Sequence, residues 1–306
     1  MKIKKRKKCR LYRLLCLGRI VVIMFIGLSF ACSSSEDTPF LEVQIPHLNL
    51  SDSLALVNIH EKMKYRIDDW DMNDITTWDN IIVALDSVKN EYRVVGFQDF
   101  SGIFSGTIPE DFRKLTELRV LILSHGRLCG SIPPWIGELT NLIYLSISDN
   151  DISGEIPKEI GNLTNLQYLY IRNNFVSGAL PESLGNLENL IWMEIANTSV
   201  TGEIPESFAN LSSEIAMKLY RNKLSGKFPI NILKNKRYII EFQYNNIIEL
   251  PFEMWKDDFP GSIPNLQGNR LSGTIPEWVF HTKKWAAESG YVAGNQQQGY
   301  GYSNFK

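Results

Sequence analysis

Proline recurs at a fixed interval of 24 residues through the middle of the chain, and no other feature of the sequence constrains the fold as tightly. The prolines that keep this interval are Pro109, Pro133, Pro157, Pro181, Pro205 and Pro229. Each follows a glycine by three residues, as in "SGEIP" at Ser153 to Pro157. A repeat of this length indicates one supersecondary unit that stacks on copies of itself, as in solenoids, propellers and arrays.

Seven apolar positions recur with the same period. In the unit that begins at Leu142 they are occupied by Leu142, Leu145, Ile147, Ile152, Ile156, Ile160 and Leu163. The units that begin at Leu118, Leu142, Leu166 and Leu190 have apolar residues at all 28 of these positions, which excludes chance at a hydrophobic content of 44%. The alternation around the fourth and sixth positions predicts one short strand per unit, with one face buried and the other exposed.

The turn after each strand has a signature of its own. Asparagine at the ninth position, as at Asn150, Asn174, Asn222 and Asn269, is expected to point inward and bond backbone groups. Glycine at the thirteenth position permits a bend that a Cβ disfavours, and proline at the sixteenth fixes φ and ends strand pairing. One such coil buries too little to fold alone, so we expect the coils to be stabilised cooperatively by stacking.

The pattern L-x-x-L-x-L-x-x-N-x-L-x-G-x-I-P resembles the plant-type leucine-rich repeat. The resemblance implies an α/β solenoid, a right-handed horseshoe whose parallel β-sheet lines the concave side. We expect residues 94–284 to form about eight coils of this kind. The copies at the two ends are degraded, as is typical of capping units.

The segments on either side of the repeat are expected to close its ends. Residues 51–93 resemble the N-terminal helical cap of plant leucine-rich-repeat receptors, and the Ser and Asp in "SDSLALVNIHEKM" predict the helix N-cap. Thr76 and Val83 stand where that family carries two cysteines, so we expect this cap to hold by packing alone. Residues 285–306 are expected to form an irregular C-terminal cap, with a disordered tail as the alternative.

The N-terminus has the order of a secretory signal. Residues 1–31 contain nine basic and no acidic residues, and an apolar run from Ile20 to Phe30 ends just before Cys32. Cys32 and the "SSSED" that follows resemble the signal of Bacteroidetes surface lipoproteins. We therefore expect a signal peptide over 1–31, lipidation of Cys32, a linker over 32–50, and a surface-exposed outer-membrane lipoprotein. The alternative is an ordinary signal peptide and a secreted protein.

Removal of the signal leaves a strongly acidic chain. The signal takes nine of the 32 basic residues and none of the 34 acidic residues, so residues 32–306 carry a net charge of −11. This charge disfavours nucleic acid as a partner. Only Cys129 remains beside Cys32, so no internal disulfide is expected. Without a nucleophile elbow, zinc motif or phosphate loop, we expect no cofactor, no metal and no enzymatic activity.

The exposed strand positions predict a binding surface on the concave side. The third position carries Tyr144, Tyr168 and Trp192 in successive units, about 5 Å apart across a parallel sheet. Tyr, Trp and Arg are the residue types enriched at binding hot spots. The predicted ligand-binding residues are Tyr144, Tyr168, Tyr170, Arg172, Trp192, Glu194, Tyr220, Arg221 and Tyr244. The alternative is that the aromatic side chains only pair across an exposed sheet.

These features together predict a non-enzymatic recognition protein on a bacterial cell surface. Its expected partners are an extracellular protein or glycan, bound through the concave aromatic face, and the membrane, reached through the N-terminal lipid anchor. A contiguous exposed aromatic patch favours this prediction. The competing prediction is a structural or scaffold subunit of an outer-membrane complex in which the concave face is unused.

Overall fold

Short strands recur along the chain at the interval set by the prolines, and parallel pairing stacks them into a solenoid. The computed structural model describes residues 47–62, 80–99, 104–234, 239–291, 296–297 and 300–303. The predicted signal peptide, Cys32 and the linker up to residue 46 lie outside the described residues. Within the part that is described, no helix has the length and apolar character of a membrane-spanning segment.

Each central coil consists of two short strands and one 3-10 helix. In chain order the strands of the described residues are β1 (His47–Leu48), β2 (Ile81–Asp86), β3 (Glu91–Asp99), β4 (Ser105–Gly106), β5 (Val120–Leu123), β6 (Arg127–Ser131), β7 (Tyr144–Ser146), β8 (Asp151–Glu155), β9 (Tyr168–Tyr170), β10 (Phe175–Ala179), β11 (Trp192–Glu194), β12 (Ser199–Thr201), β13 (Ala216–Lys218), β14 (Ser225–Lys227), β15 (Ile240–Glu241), β16 (Asn246–Glu249), β17 (Ser272–Gly273) and β18 (Gly301–Tyr302). The α-helices are α1 (Leu50–Lys62), α2 (Ile230–Leu233) and α3 (Lys283–Glu288). The 3-10 helices cover Glu110–Lys114, Pro134–Glu138, Lys158–Asn162, Glu182–Asn186, Glu206–Asn210, Phe252–Trp255, Glu277–His281 and Ser289–Tyr291.

Nine strands form the concave sheet. Their order is β1, β3, β5, β7, β9, β11, β13 and β15, and β2 pairs antiparallel with β3. The register joins residues one period apart, so that Tyr144 pairs with Tyr168 and Tyr168 with Trp192. The predicted α/β solenoid with a parallel concave sheet is thereby confirmed.

A second parallel sheet forms from the residues that follow each turn. Its five strands have the order β12, β10, β8, β6 and β4. Gly178 in β10 has a φ of 77°, and a Cβ there would lie 2.6 Å from the Glu155 side chain of the preceding coil. A residue with a Cβ would therefore be strained at this position. The sequence did not predict this sheet, because at most one residue in each of its strands is buried and no alternation is visible.

The predicted apolar positions form the core. In the unit that begins at Leu142, all seven side chains are buried and none is more than 4% exposed. They join the matching side chains of the coils before and after in one continuous cluster. Each coil thus buries its apolar residues against its neighbours, which is how a repeat too small to fold alone becomes stable.

Asparagine side chains tie each coil to the one before. Asn174 accepts a hydrogen bond from the Ile152 backbone N–H at 3.1 Å and donates to the Ile147 carbonyl at 2.9 Å. The residues that bond the preceding coil in this way form the asparagine ladder: Asn150, Asn174, Asn222, Asn245 and Asn269. The predicted inward role of these residues is confirmed. Because nearly all of these partners are buried backbone groups, the ladder prevents unpaired polar groups inside the solenoid.

The N-terminal cap is held by charge as well as by packing, so the expectation of packing alone is wrong. Asn49, and not the Ser or Asp of "SDSL", caps α1 by accepting from the Ser51 and Asp52 backbone N–H groups. Asp52 is fully buried and receives both Nε and Nη2 of Arg93 at 3.0 and 3.2 Å. This bidentate pair fixes α1 to β3.

A second ion pair joins α1 to the first 3-10 helix. Asp111 is buried and accepts from Lys62, Lys114 and Asn58. Burial alone would raise the pKa of Asp111, but the hydrogen bonds from these three side chains outweigh it and lower the pKa to about 2. The first coil is therefore anchored to the cap through an ionised carboxylate.

The C-terminal tail contacts the last coil and ends the ladder. Gln296 accepts from the Leu271 backbone N–H and donates to the Leu266 carbonyl, both at 3.3 Å. Asn269 makes the equivalent two bonds one coil earlier, to Ile247 and Phe242. Gln296 thus takes the place of a ladder asparagine although it lies outside the 24-residue register.

We expect Asn174→Ala to lower the free energy of unfolding by about 2–4 kcal/mol, because several buried backbone groups lose their partner at once. Asn189→Ala is the matched control, since its exposed side chain makes one bond, to the Thr164 carbonyl. That variant should lose about 1 kcal/mol or less in the same denaturant titration. Equal losses in the two variants would contradict the ladder's structural role.

Stability should also fall in acid through Asp111. The pKa of Asp111 is about 2 in the folded chain, against 3.8 for the unperturbed group in the unfolded chain. The stability that Asp111 contributes is therefore complete above about pH 4 and is lost as the pH falls through about 2. Asp111→Asn should destabilise the chain at pH 7 by about 1–2 kcal/mol and flatten the stability profile between pH 4 and 2. Glu138→Gln, at the exposed Arg113 pair, should leave the profile unchanged. A wild-type slope that survives in Asp111→Asn would refute the assignment.

Candidate functional site: the concave aromatic surface

Four aromatic side chains from β7, β9 and β11 form a continuous surface, here called the aromatic patch. Tyr144 lies 5.6 Å from Tyr168 and 5.3 Å from Tyr170, measured between ring centroids. Tyr170 lies 6.3 Å from Trp192. All four rings are partly exposed, and their planes are within 30° of one another in these contacts. The strand register produces the patch, because it pairs residues 24 positions apart. The third residue of each repeat unit therefore lies beside the third residue of the next unit.

A hollow of about 330 Å³ opens beside the aromatic patch. Tyr144, Tyr170, Arg172 and Glu194 from the predicted site line it. The other lining residues come from the coils that begin at Leu118 and Leu142: Ile122, Ser124, His125, Ser146, Ser148 and Asp149. The predicted site did not include these residues, because the sequence prediction rested on the pattern of aromatic side chains.

Charged side chains around the patch are paired. Asp149 lies 3.5 Å from both Arg172 Nη2 and His125 Nδ1. Lys218 Nζ lies 3.6 Å from Glu241 and 4.9 Å from the centre of the Trp192 ring. These contacts hold the cationic groups at defined places along the concave face.

Glu194 differs from these carboxylates because its contacts are uncharged. It is 8% exposed and lies among the patch residues in β11. Trp192 Nε1 donates to it at 3.3 Å, and the Tyr220 hydroxyl donates at 3.4 Å. The structure thus brings Tyr220 into the site through Glu194.

Arg221 and Tyr244 form a separate pair. The Arg221 guanidinium lies 5.6 Å from the centre of the Tyr244 ring, and Tyr244 is 52% exposed. Neither residue lines the hollow. Of the nine predicted residues, four line the hollow, and three more contact these four: Tyr168, Trp192 and Tyr220. The other two, Arg221 and Tyr244, stand apart.

A row of turn residues forms a polar edge along the concave face. Asp149, Asn173 and Asn197 occupy the same position in successive coils with φ between 53° and 58°. Asn173 donates to Asp149 at 2.5 Å, and Asn197 donates to Asn173 at 2.8 Å. Asparagine and aspartate adopt this left-handed conformation more readily than most residues. The row fixes the orientation of Asp149 at the rim of the hollow.

The tyrosines of the site stay protonated well above neutral pH. Burial is the largest cause that raises the pKa of Tyr144, Tyr170 and Tyr220, and the negative charge of Glu194 raises the pKa of each further. The phenol groups therefore act as hydrogen-bond donors and uncharged walls at physiological pH. Among the described residues no cluster of three or more His, Cys, Asp or Glu side chains could hold a metal ion.

The sequence of the coils matches a known family model. Residues 100–229 match the model of a leucine-rich repeat region. The chain contains a leucine-rich repeat region over these residues. No curated protein sequence matches it.

Solved leucine-rich repeat structures share its fold. A plant ice-binding protein is 28% identical, with a TM-score of 0.66, over 74% of this chain and 74% of that one. The PEPR1–AtPEP1 structure is 26% identical, with a TM-score of 0.63, over 74% of this chain and 32% of that one. The plant peptide hormone receptor RGFR1 in complex with RGF2 is 34% identical, with a TM-score of 0.52, over 56% and 28%. The matched region thus spans about a third of each receptor chain.

Proposed function

We propose that this leucine-rich repeat protein is a non-enzymatic recognition protein that binds an extracellular protein or peptide through its concave face. The observation that carries the proposal is the aromatic patch with its adjoining hollow. Aromatic rings supply large contact areas at low entropic cost and dominate binding hot spots. The core needs none of these rings, because the coils are already closed by their buried apolar positions.

The surroundings of the patch suit a segment of polypeptide. A hollow of about 330 Å³ accommodates one or two side chains and lies at the lower end of the range for ligand pockets. The polar edge of Asp149, Asn173 and Asn197 offers hydrogen-bonding groups beside it. These groups project from a parallel sheet, and a site built on strands is held more precisely than one built on loops.

The solved relatives support a peptide or protein as the ligand class. The RGFR1 structure is that of a peptide hormone receptor in complex with RGF2. The HAESA structure, 33% identical with a TM-score of 0.50 over 59% of this chain and 30% of that one, contains a peptide hormone and a co-receptor. A glycan stacked on the rings and a scaffold role with the face unused are the competing functions.

The hollow contains Ser, His and Asp side chains, the residue types of a serine hydrolase, but not the hydrogen bond between serine and histidine that a hydrolase needs. His125 and Asp149 lie 3.5 Å apart. Ser124 and Ser146, however, bond each other at 2.7 Å, and no described serine hydroxyl is hydrogen-bonded to His125. An activated serine requires such a bond to its base. This geometry supports binding rather than catalysis.

We expect the full chain to bind members of an array of extracellular proteins, peptides and glycans through the patch. Tyr168→Ala combined with Trp192→Ala should weaken each specific interaction at least tenfold, as loss of two hot-spot rings does. Phe175→Ala is the matched control, because Phe175 is an aromatic side chain of β10 in the second sheet and is 65% exposed. It should retain binding, and both variants should melt within about 3 °C of the wild type.

Binding that survives in the double variant would move the site away from the patch. A wild-type chain that binds no member of the array would favour the scaffold role. Hits confined to glycans would replace the polypeptide ligand by a sugar.

We further propose that the protein is a surface lipoprotein anchored through Cys32. The order of basic residues, apolar run and cysteine in the sequence supports this location. Metabolic labelling with an alkyne analogue of palmitate should label the wild type and Cys129→Ala, whereas Cys32→Ala should lose the label and leave the membrane fraction. A labelled Cys32→Ala variant, or an unlabelled and secreted wild type, would contradict the anchor.

A further inference from the structure

Glu194 is a buried carboxylate surrounded by uncharged groups. Its residue is 8% exposed, and its two hydrogen-bond donors are the Trp192 indole and the Tyr220 phenol. Glu194 also lines the 330 Å³ hollow together with Tyr144 and Tyr170. A carboxylate walled by aromatic rings therefore faces a space large enough for a ligand side chain.

The neighbouring carboxylates all have cationic partners. Asp149 lies 3.5 Å from Arg172 and from His125, and Glu241 lies 3.6 Å from Lys218. Among the described residues, no Lys, Arg or His nitrogen comes within 4.0 Å of the Glu194 carboxylate. Glu194 is thus the carboxylate of the concave site that lacks a counter-charge.

Lys218 is the nearest candidate for that counter-charge, and it is used elsewhere. The sheet register places Lys218 directly opposite Glu194. Its ammonium group nevertheless lies beside Glu241 and over the Trp192 ring. The contact with Trp192 also demonstrates that this ring surface accommodates a cation, as the negative face of an indole does.

Burial of a charge without a partner costs free energy, and such groups are ordinarily paired. A binding protein can keep a buried unpaired charge where a ligand supplies the counter-charge, because functional sites are where unfavourable local features are retained. The net charge of −11 over residues 32–306 favours the approach of cations and opposes anions. These facts disfavour an acidic ligand group at Glu194 and favour a basic one.

We infer that the ligand of the concave face is a peptide that places a basic side chain, a Lys ammonium or an Arg guanidinium, in the hollow against Glu194. The inference rests on the proposed recognition function and specifies its ligand chemistry. Tyr144 and Tyr170 line the hollow beside the cation, and Glu194 neutralises it. Ser148 is 2% exposed, lines the same hollow and has a hydroxyl without a hydrogen-bond partner, so it is available to the ligand.

The test is selection of random seven-residue peptides, displayed on phage, against the full chain. Wild-type protein should enrich peptides that share a Lys or Arg at a fixed place. Glu194→Gln should lose this basic preference, whereas Glu241→Gln should keep it, since Glu241 is the matched carboxylate that already has a cation. In synthetic copies of the best peptide, replacing the basic residue by norleucine should weaken binding at least tenfold. Comparing the affinities of peptide copies that carry Lys or Arg at this place then shows which cation the hollow prefers.

A second measurement requires no ligand. Glu194→Gln removes a buried charge while keeping the shape of the side chain, so its melting temperature should equal or exceed that of the wild type. A clear fall in the melting temperature would make Glu194 a structural carboxylate and overturn the inference. Lys218→Met should keep the basic preference, and loss of that preference would overturn the assignment of the cation site to Glu194.

The outcomes separate this inference from the proposed function. Peptides that require Tyr168 and Trp192 but show no basic preference, or keep it in Glu194→Gln, would overturn the inference and leave the recognition function standing. Peptides that bind independently of the aromatic patch, or no enriched peptides at all, would overturn both.

Discussion

The asparagine ladder is the interaction on which the rest of the structure depends. Each coil turns sharply after its concave strand and leaves buried backbone groups without strand partners. Asn174 and its equivalents bond backbone groups of the preceding coil, at distances of 2.7 to 3.1 Å in the bonds that cross between coils. Because the ladder and the apolar core both act between neighbours, stability is shared along the array and not stored in any one coil.

Because the asparagine ladder and the apolar core stabilise the backbone, the fold does not depend on the side chains of the concave face. The same scaffold appears in a plant ice-binding protein and in plant peptide hormone receptors, so the fold alone does not determine what is bound. Function is instead determined by the side chains that the strands present. In this chain they are stacked tyrosines, a tryptophan and a buried carboxylate that no described cation approaches.

The sequence predicted most of the features that repeat, the second sheet excepted, and missed those that occur once. The 24-residue period predicts the strands, the ladder and the aromatic neighbours, since a parallel register brings every position beside its own copy. The Asp52–Arg93 pair and the substitution of Gln296 for a ladder asparagine have no period, and each joins residues whose proximity depends on the finished fold. The same holds for the binding site. The contact between Tyr144 and Tyr168 could be predicted from the repeat, whereas the missing counter-charge of Glu194 depends on the conformation of the Lys218 side chain, which pairs with Glu241.

A crystal structure of the full chain with the tightest-binding selected peptide is the most direct test of the account. We predict that the peptide lies across β7, β9 and β11, that it contacts Tyr168 and Trp192, and that one of its basic nitrogens is within 4 Å of the Glu194 carboxylate, the usual reach of an ion pair. The backbone of the coils should move little, because the ladder holds it before the ligand arrives. A peptide bound to the second sheet or to either cap, with the aromatic patch left bare, would contradict the account.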